Sequence, residues 1–285
     1  MEYRTLIDAD SLRELLGGQG LAVVDCRFDL MNPGAGRLAY LRGHIPGARY
    51  ADLDRDLSGP VGPRTGRHPL PSPQGFAGWL GANGIGDDDQ VIAYDEVNGS
   101  IAARLWWMLR WLGHGAVAVL DGGLAAWTAR GGELEPGQPT FPPERFTPRI
   151  DADAATAPAV STAELERALR DDRTLLVDAR AAERYAGTVE PIDAVAGHIP
   201  GAVNHPFTAN LATDGRFLPA AELRRLWQER LEDPDAANLV AMCGSGVTAC
   251  HNLLGLEVAG LPGGQLYAGS WSEWIRDPQR PVARD

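Results

Sequence analysis

The chain carries an internal repeat, in which four short motifs occur twice in the same order and roughly 150 residues apart. The paired motifs are VVDCR at 23–27 with LVDAR at 176–180, GHIPGA at 43–48 and again at 197–202, VIAYD at 91–95 with LVAMC at 239–243, and DGGLAAW at 121–127 with AGSWSEW at 268–274. A period this long excludes a solenoid, whose repeats run to a few tens of residues. The repeat therefore predicts two domains of the same fold within the 285 residues, each large enough to bury its own core.

A proline-rich stretch marks the break between the two copies. Residues 137–143 read GQPTFPP, and residues 151–158 are polar and rich in alanine. Proline fits poorly inside a helix or a sheet, so this region is unsuited to either. We place an N-terminal domain at 1–137, a linker at 138–158 and a C-terminal domain at 159–285.

Short apolar runs alternate with helical patterns inside each copy. Leu21–Asp25, Val91–Tyr94 and Val117–Leu120 are rich in β-branched residues and bounded by turn signals, which is typical of buried parallel strands. Ala102–Leu112 and Thr162–Arg170 have the pattern of helices. The alternation predicts an α/β fold, in which each domain is a parallel sheet covered by helices on both faces. Ligands bind such sheets beyond the carboxyl ends of the strands.

Composition narrows the class of function. The net charge is −12 and all 26 basic residues are arginine, without a basic run, which argues against a nucleic-acid partner. No apolar run is long enough to suggest a membrane span, and the start of the chain does not resemble a signal peptide. The three cysteines, Cys26, Cys243 and Cys250, fit neither a disulfide framework nor a zinc site. We expect a cytoplasmic protein with free thiols and no metal or cofactor.

The segment around Cys243 carries the clearest chemistry. Cys243 ends a predicted strand at 239–242, and GSGVT follows at 244–248 before a predicted helix at 249–256. Two glycines in so short a loop let successive N–H groups point inward, and a nest that opens onto a helix N-terminus binds anions. Such a loop favours a thiolate and would also hold the outer sulfur of a persulfide. The first copy has Asp95 in place of the cysteine and fewer glycines, so we expect that it has lost this cradle.

These motifs resemble the tandem rhodanese family over nearly the whole chain. The resemblance rests on the two GHIPGA motifs, on DGG at 121–123 with Trp127, and on GSWSEW at 269–274, although Ala268 stands where the family usually has aspartate. It implies an inactive N-terminal domain and a catalytic C-terminal domain. The loop CGSGVT at 243–248 is similar to that of the 3-mercaptopyruvate sulfurtransferase type, since the thiosulfate type usually carries basic-leaning residues at the positions of Gly244 and Ser245.

The resemblance also assigns roles. Cys243 is the expected nucleophile, and Ser245 is expected to donate a hydrogen bond or a proton near the substrate carbonyl. Arg184 is the expected substrate-binding residue that matches the family. Arg180, just past a strand end, is expected either to contact the substrate or to pair with a carboxylate. His44 is expected either to fix a turn, like His198, or to face the catalytic loop from the first domain as in relatives. The charge on sulfur is expected to be stabilised by the N–H groups of Gly244, Gly246, Val247 and Thr248. Many enzymes of the type have a second substrate arginine before the second GHIPGA motif, but residues 189–195 contain none.

Three alternatives remain open from the sequence. A thiosulfate sulfurtransferase would use the same nucleophile with sulfite leaving. A phosphatase-like or arsenate-reducing enzyme would need a longer loop that ends in arginine, and this loop has neither feature. A non-enzymatic binding module would not need Cys243. The expected acceptor of sulfur is cyanide, thioredoxin or another thiol.

Overall fold

The computed structural model describes residues 2–150, 158–171, 174–230 and 238–285. The described chain forms two compact units, and each takes a segment from the other half of the sequence. The first unit contains residues 2–59, 71–150 and 213–217. The second unit contains the rest, including residues 60–70. The repeat did not predict this exchange of segments.

The first unit is built on five parallel strands. They are β1 (Leu6–Ile7), β2 (Leu21–Asp25), β3 (Arg49–Tyr50), β4 (Gln90–Tyr94) and β5 (Val117–Leu120), in the order β1-β5-β4-β2-β3. The helices are α1 (Ala9–Leu15), α2 (Gly34–Arg42), α3 (Pro73–Ala82), α4 (Ala102–Trp111) and α5 (Gly123–Ala129). Consecutive residues of β5 are all buried, so side chains on both faces of the sheet are covered.

The second unit repeats this plan with four parallel strands. They are β6 (Leu175–Asp178), β7 (Val203–Asn204), β8 (Leu239–Met242) and β9 (Gln265–Leu266), in the order β7-β6-β8-β9. The helices are α6 (Thr162–Arg170), α7 (Ala182–Ala186), α8 (Ala220–Gln228), α9 (Thr248–Val258) and α10 (Ser270–Trp274), with a 3-10 turn at Phe207–Asn210. The α/β fold predicted for both copies is therefore confirmed.

Local signals account for the most regular of these elements. Ser161 caps α6, since its hydroxyl accepts the N–H of Glu164 while the Glu164 carboxylate accepts the N–H of Ser161. On α4, Trp106 and Trp107 are both 1% exposed and belong to the core. Each unit also has its own buried apolar cluster, one around β2 and β4 and the other around β6 and β8.

The predicted linker falls partly within the first unit. Arg149 donates its N–H to the carbonyl of Leu112, and Glu144 donates to the carbonyl of Gly81. The guanidinium of Arg49 lies 3.8 Å from the centre of the Phe141 ring. Residues 138–150 thus pack against the first domain, while 151–157 lie outside the described residues. No helix in the described part of the chain is long and apolar enough to cross a bilayer.

Candidate active site

Cys243 follows β8 directly, at the carboxyl end of a strand in the middle of the sheet. Its side chain is buried, with the residue 2% exposed. Its N–H donates to the hydroxyl of Ser270 at 3.0 Å, and its carbonyl accepts the N–H of Trp271 at 3.0 Å. Ser270 has φ of 54°, an uncommon conformation for a residue with a side chain. The start of α10 therefore fixes the backbone of Cys243 from both sides.

One amide of the loop points at the sulfur. The N–H of Gly246 donates to Sγ of Cys243 at 3.2 Å. Gly246 has φ of +78°, and a Cβ there would collide with the carbonyl of Ala268, so glycine is required twice over. Val247 and Thr248 begin α9, and the N–H groups at the start of a helix have no acceptor inside it. The sulfur of Cys243 thus lies against a backbone N–H group, in a loop that leads directly into the N-terminus of a helix.

Ser245 lies beside a histidine that the sequence did not single out. Its Oγ is 2.7 Å from Nδ1 of His68, and the two residues are 6% and 4% exposed. Either atom can be the donor, depending on the tautomer of the ring. A hydroxyl that is hydrogen-bonded to an imidazole can pass a proton in either direction. The pair places an imidazole against a hydroxyl that is on the same loop as Cys243.

Two guanidinium groups lie over the loop at Gly244. A Cβ on this glycine would lie 2.8 Å from Nη2 of Arg67 and 3.6 Å from both terminal nitrogens of Arg184. The side chains of Arg67 and Arg184 are 23% and 18% exposed, more than the nucleophile beneath them. The loop itself carries no charge, but two guanidinium groups face it.

A carboxylate pair orients these arginines. Both oxygens of Glu190 accept hydrogen bonds from Arg184, with the shortest at 2.8 Å. Asp193 accepts from Nη2 of Arg184 at 3.1 Å through one oxygen and from Nη1 of Arg67 through the other. Asp193 thus bridges the two arginines, and burial raises its pKa while the Arg67 charge lowers it.

The structure gives Arg180 a different place from the one expected of a substrate-binding residue. Its side chain is 1% exposed, and its guanidinium donates to Asp178 at 2.6–3.1 Å and to the carbonyl of Gly197 at 2.8 Å. Arg27 in the first unit makes the same bonds to Asp25 and Gly43. Because the arrangement recurs beside Asp95, where there is no cysteine, it indicates a structural role for Arg180.

His44, a candidate substrate-binding residue, also has structural partners within the protein. His44 is fully buried in the first unit, where its ring stacks on Tyr40 at 4.1 Å and its Nδ1 bonds the Tyr40 carbonyl. His198 stacks on Tyr185 in the same way, at 3.9 Å. A histidine that recurs with the same partners in both units fixes a turn. The histidine from the first half of the sequence that contacts the catalytic loop is His68.

The loop of the first copy has kept its cradle, contrary to expectation. The carboxylate of Asp95 accepts the N–H groups of Gly99, Ile101 and Ala102 at 2.9–3.2 Å. Burial raises the pKa of Asp95, whereas these backbone hydrogen bonds lower it. The amides that would surround an external anion are therefore occupied by the protein's own carboxylate. Fewer glycines did not remove the nest, since backbone N–H groups come from any residue except proline.

His68 and Arg67 were missed because neither lies in one of the four repeated motifs. They lie in the stretch between β3 and α3, residues 51–72, which contains no helix or strand. A loop of this length in a compact domain is uncommon and is often functional, and that was the available signal. Within the described residues, no cluster of three or more His, Cys, Asp or Glu side chains could hold a metal ion.

Known proteins align with nearly the whole of this chain. The rhodanese-like domain family matches residues 8–130 and 161–277. A probable 3-mercaptopyruvate sulfurtransferase of Pseudomonas aeruginosa is 50% identical over 285 residues, which is 99% of each chain. A putative thiosulfate sulfurtransferase, SseB, of Mycobacterium tuberculosis is 40% identical over 99% of this chain and 97% of its own. The structure of 3-mercaptopyruvate sulfurtransferase from Leishmania major superposes with a TM-score of 0.83 at 34% identity, covering 96% of this chain and 76% of that one.

Proposed function

This chain belongs to the rhodanese family of sulfurtransferases, and we propose that it moves sulfur from 3-mercaptopyruvate to an acceptor through a persulfide on Cys243. The hydrogen bond between Ser245 and His68 supports 3-mercaptopyruvate as the sulfur donor. The observation that carries the covalent step is the Gly246 amide directed at Sγ of Cys243.

In the first half-reaction the Cys243 thiolate attacks the thiol sulfur of the donor. A sulfur–sulfur bond forms, the carbon–sulfur bond breaks, and its electron pair becomes the enolate of pyruvate. The proton of the donor thiol ends on the enolate carbon, which gives pyruvate, and Cys243 is left as a persulfide. This is covalent catalysis in two half-reactions.

Ser245 and His68 suit a donor that is a ketone. Negative charge develops on the carbonyl oxygen as the carbon–sulfur bond breaks, and a hydroxyl donor next to the nucleophile stabilises that charge. His68 orients the hydroxyl and can replace the proton that it gives away. Thiosulfate has no carbonyl and forms no enolate, so it would gain little from this pair.

The second half-reaction returns the enzyme to its thiol form. An acceptor nucleophile attacks the outer sulfur of the persulfide, and the electrons of the sulfur–sulfur bond return to Cys243 as a thiolate. Cyanide, thioredoxin or a low-molecular-weight thiol has the required nucleophile. A reducing cytoplasm suits this cycle, because Cys243 must be a free thiol at its start.

We propose that the N-terminal domain, near residues 1–137, carries no sulfur. Asp95 occupies the position of the nucleophile there, and its carboxylate fills the amide nest. The C-terminal domain, near residues 159–285, then performs both half-reactions with the help of residues from the segment at 60–70.

Thiosulfate is the second candidate donor. Arg67 and Arg184 place two cations beside the nucleophile, which also suits a dianion with a dianionic product. Steady-state rates of the purified protein with each donor and a common acceptor distinguish the two. We expect kcat/KM for 3-mercaptopyruvate to exceed that for thiosulfate by at least about tenfold. The arginines can bind both donors, but Ser245 stabilises the transition state only of the donor that has a carbonyl. A preference for thiosulfate would overturn the choice of donor.

A further inference from the structure

We propose that Arg67 is the second carboxylate-binding residue of the active site and a determinant of donor specificity. The inference rests on the proposed function, because it assigns a partner to the carboxylate of 3-mercaptopyruvate. The sequence offers no second arginine near Arg184 in 189–195. The second guanidinium comes instead from the segment at 60–70, which the second unit takes from the first half of the chain.

Arg67 and Arg184 each have N–H groups left for a ligand. Arg184 uses Nε and Nη2 on Glu190 and Asp193, and among the described residues its Nη1 has no partner. Arg67 uses Nη1 on Asp193, and within the same set of residues its Nη2 has no partner and its buried Nε is unsatisfied. Buried donors without an acceptor are rare in proteins, and a functional role is one of the reasons that a site leaves them so.

The free nitrogens converge on one point. Nη2 of Arg67 and the terminal nitrogens of Arg184 both lie near the position that a Cβ of Gly244 would take. Gly244 follows the nucleophile, so a group held above it lies within a small molecule's length of Cys243. A carboxylate has two oxygens, and each can accept from one arginine. The thiol of 3-mercaptopyruvate is on the third carbon, counted from the carboxylate. When the two arginines hold the carboxylate, the sulfur can therefore reach the thiolate of Cys243.

Asp193 and the backbone hold Arg67 in place without using its free nitrogens. The N–H of Arg67 donates to Oγ of Ser272 at 3.1 Å, and the carbonyl of Thr65 accepts from Arg276 at 3.1 Å. These backbone contacts do not depend on the Arg67 side chain. A substitution at residue 67 should therefore leave the segment docked, and its effects should report on the guanidinium.

The test compares two donors that differ only in the carboxylate. Mercaptoacetone has the same thiol and ketone as 3-mercaptopyruvate but carries a methyl group where the acid has its carboxylate. For Arg67→Met we expect kcat/KM with 3-mercaptopyruvate to fall by about 10- to 100-fold, the value of a charged hydrogen bond, with mercaptoacetone changed less than about threefold. Arg64→Met, at an exposed arginine of the same segment, is the matched control and should change neither.

Two further measurements test whether Arg67 acts on the carboxylate of the donor. Inhibition by pyruvate, which keeps the carboxylate, should weaken in Arg67→Met by a similar factor. The exchanged pair Arg67→Asp with Asp193→Arg should recover much of the loss, since it returns a guanidinium to the same cluster. An equal loss with both donors, or unchanged pyruvate inhibition, would overturn the role of Arg67. A wild-type protein that takes sulfur from neither ketone would instead overturn the proposed function.

Discussion

Oγ of Ser245 and Nδ1 of His68 are 2.7 Å apart, although 177 residues separate them in the chain. The pair joins a hydroxyl on the nucleophile's own loop to an imidazole from the segment at 60–70. The contact with the imidazole lets the Ser245 hydroxyl donate a proton and then recover it. Donor choice should depend on this contact more than on the charge of the loop.

Ser245→Ala should therefore act on one donor and spare the other. We expect kcat with 3-mercaptopyruvate to fall by about 10²- to 10³-fold, in the range for removal of a donor at a developing oxyanion. The rate with thiosulfate should change little, since no enolate forms. His68→Gln should give the same pattern, and the double variant should be no worse than the worse single one, because the two act as a unit. Equal losses with both donors would show that the pair only shapes the loop.

Gly246→Ala should remove sulfur transfer with both donors. The added Cβ would collide with the carbonyl of Ala268 and move the amide that points at Sγ of Cys243. We expect a loss of at least about 100-fold in kcat/KM, as for displaced oxyanion donors. Gly201→Ala is the control, since Gly201 has a similar φ of +82° but nothing within 4 Å of its Cβ position. Comparable losses in both variants would mean that backbone strain, and not the cradle, explains the effect.

His205 makes stability depend on pH. Burial lowers the pKa of its ring from 6.5 to about 4, and the ring packs against Trp227 at 4.1 Å. Between these values the unfolded chain binds the proton and the folded protein does not. The free energy of unfolding should therefore fall as the pH drops from 6.5 to 4, by up to about 3 kcal/mol from this group.

Chemical denaturation across that range measures the effect. His205→Phe keeps an aromatic ring against Trp227 but cannot be protonated, so its free energy of unfolding should fall less steeply with acidification than that of the wild type. Other carboxylates titrate in both proteins, and the difference between the two curves isolates His205. Parallel curves would show that His205 does not contribute.

Four of the nine strands in the described residues, β2, β4, β5 and β8, could be predicted from the sequence because their signal is local. Leu21–Asp25, Val117–Leu120 and Leu239–Met242 lie where the apolar runs place them, and the helix predicted at 249–256 extends to Thr248–Val258. A run of β-branched residues between turn residues specifies a buried strand largely by itself. The loop that carries Cys243 could be located for the same reason, since strand, cysteine, glycines and helix follow one another.

The rest of the site depends on tertiary placement. Arg67 and His68 lie outside the four repeated motifs, and only the docking of their segment in the second unit brings them to the loop. The Arg180 pairing with Asp178 needed the structure to separate a buried ion pair from a ligand contact. The nest around Asp95 is made of backbone N–H groups, whose direction cannot be read from the types of side chain in the sequence.

Mass spectrometry of the intact protein and its peptides after exposure to 3-mercaptopyruvate tests the central claim most directly. One added sulfur atom should appear on the peptide that contains Cys243, and it should disappear on addition of cyanide or a thiol. Burial raises the pKa of the Cys26 thiol well above its ordinary value, and Cys250 donates its thiol to the Gly246 carbonyl, so neither should be labelled. Sulfur on Cys26 or Cys250, or an unchanged yield in Cys243→Ser, would contradict the account.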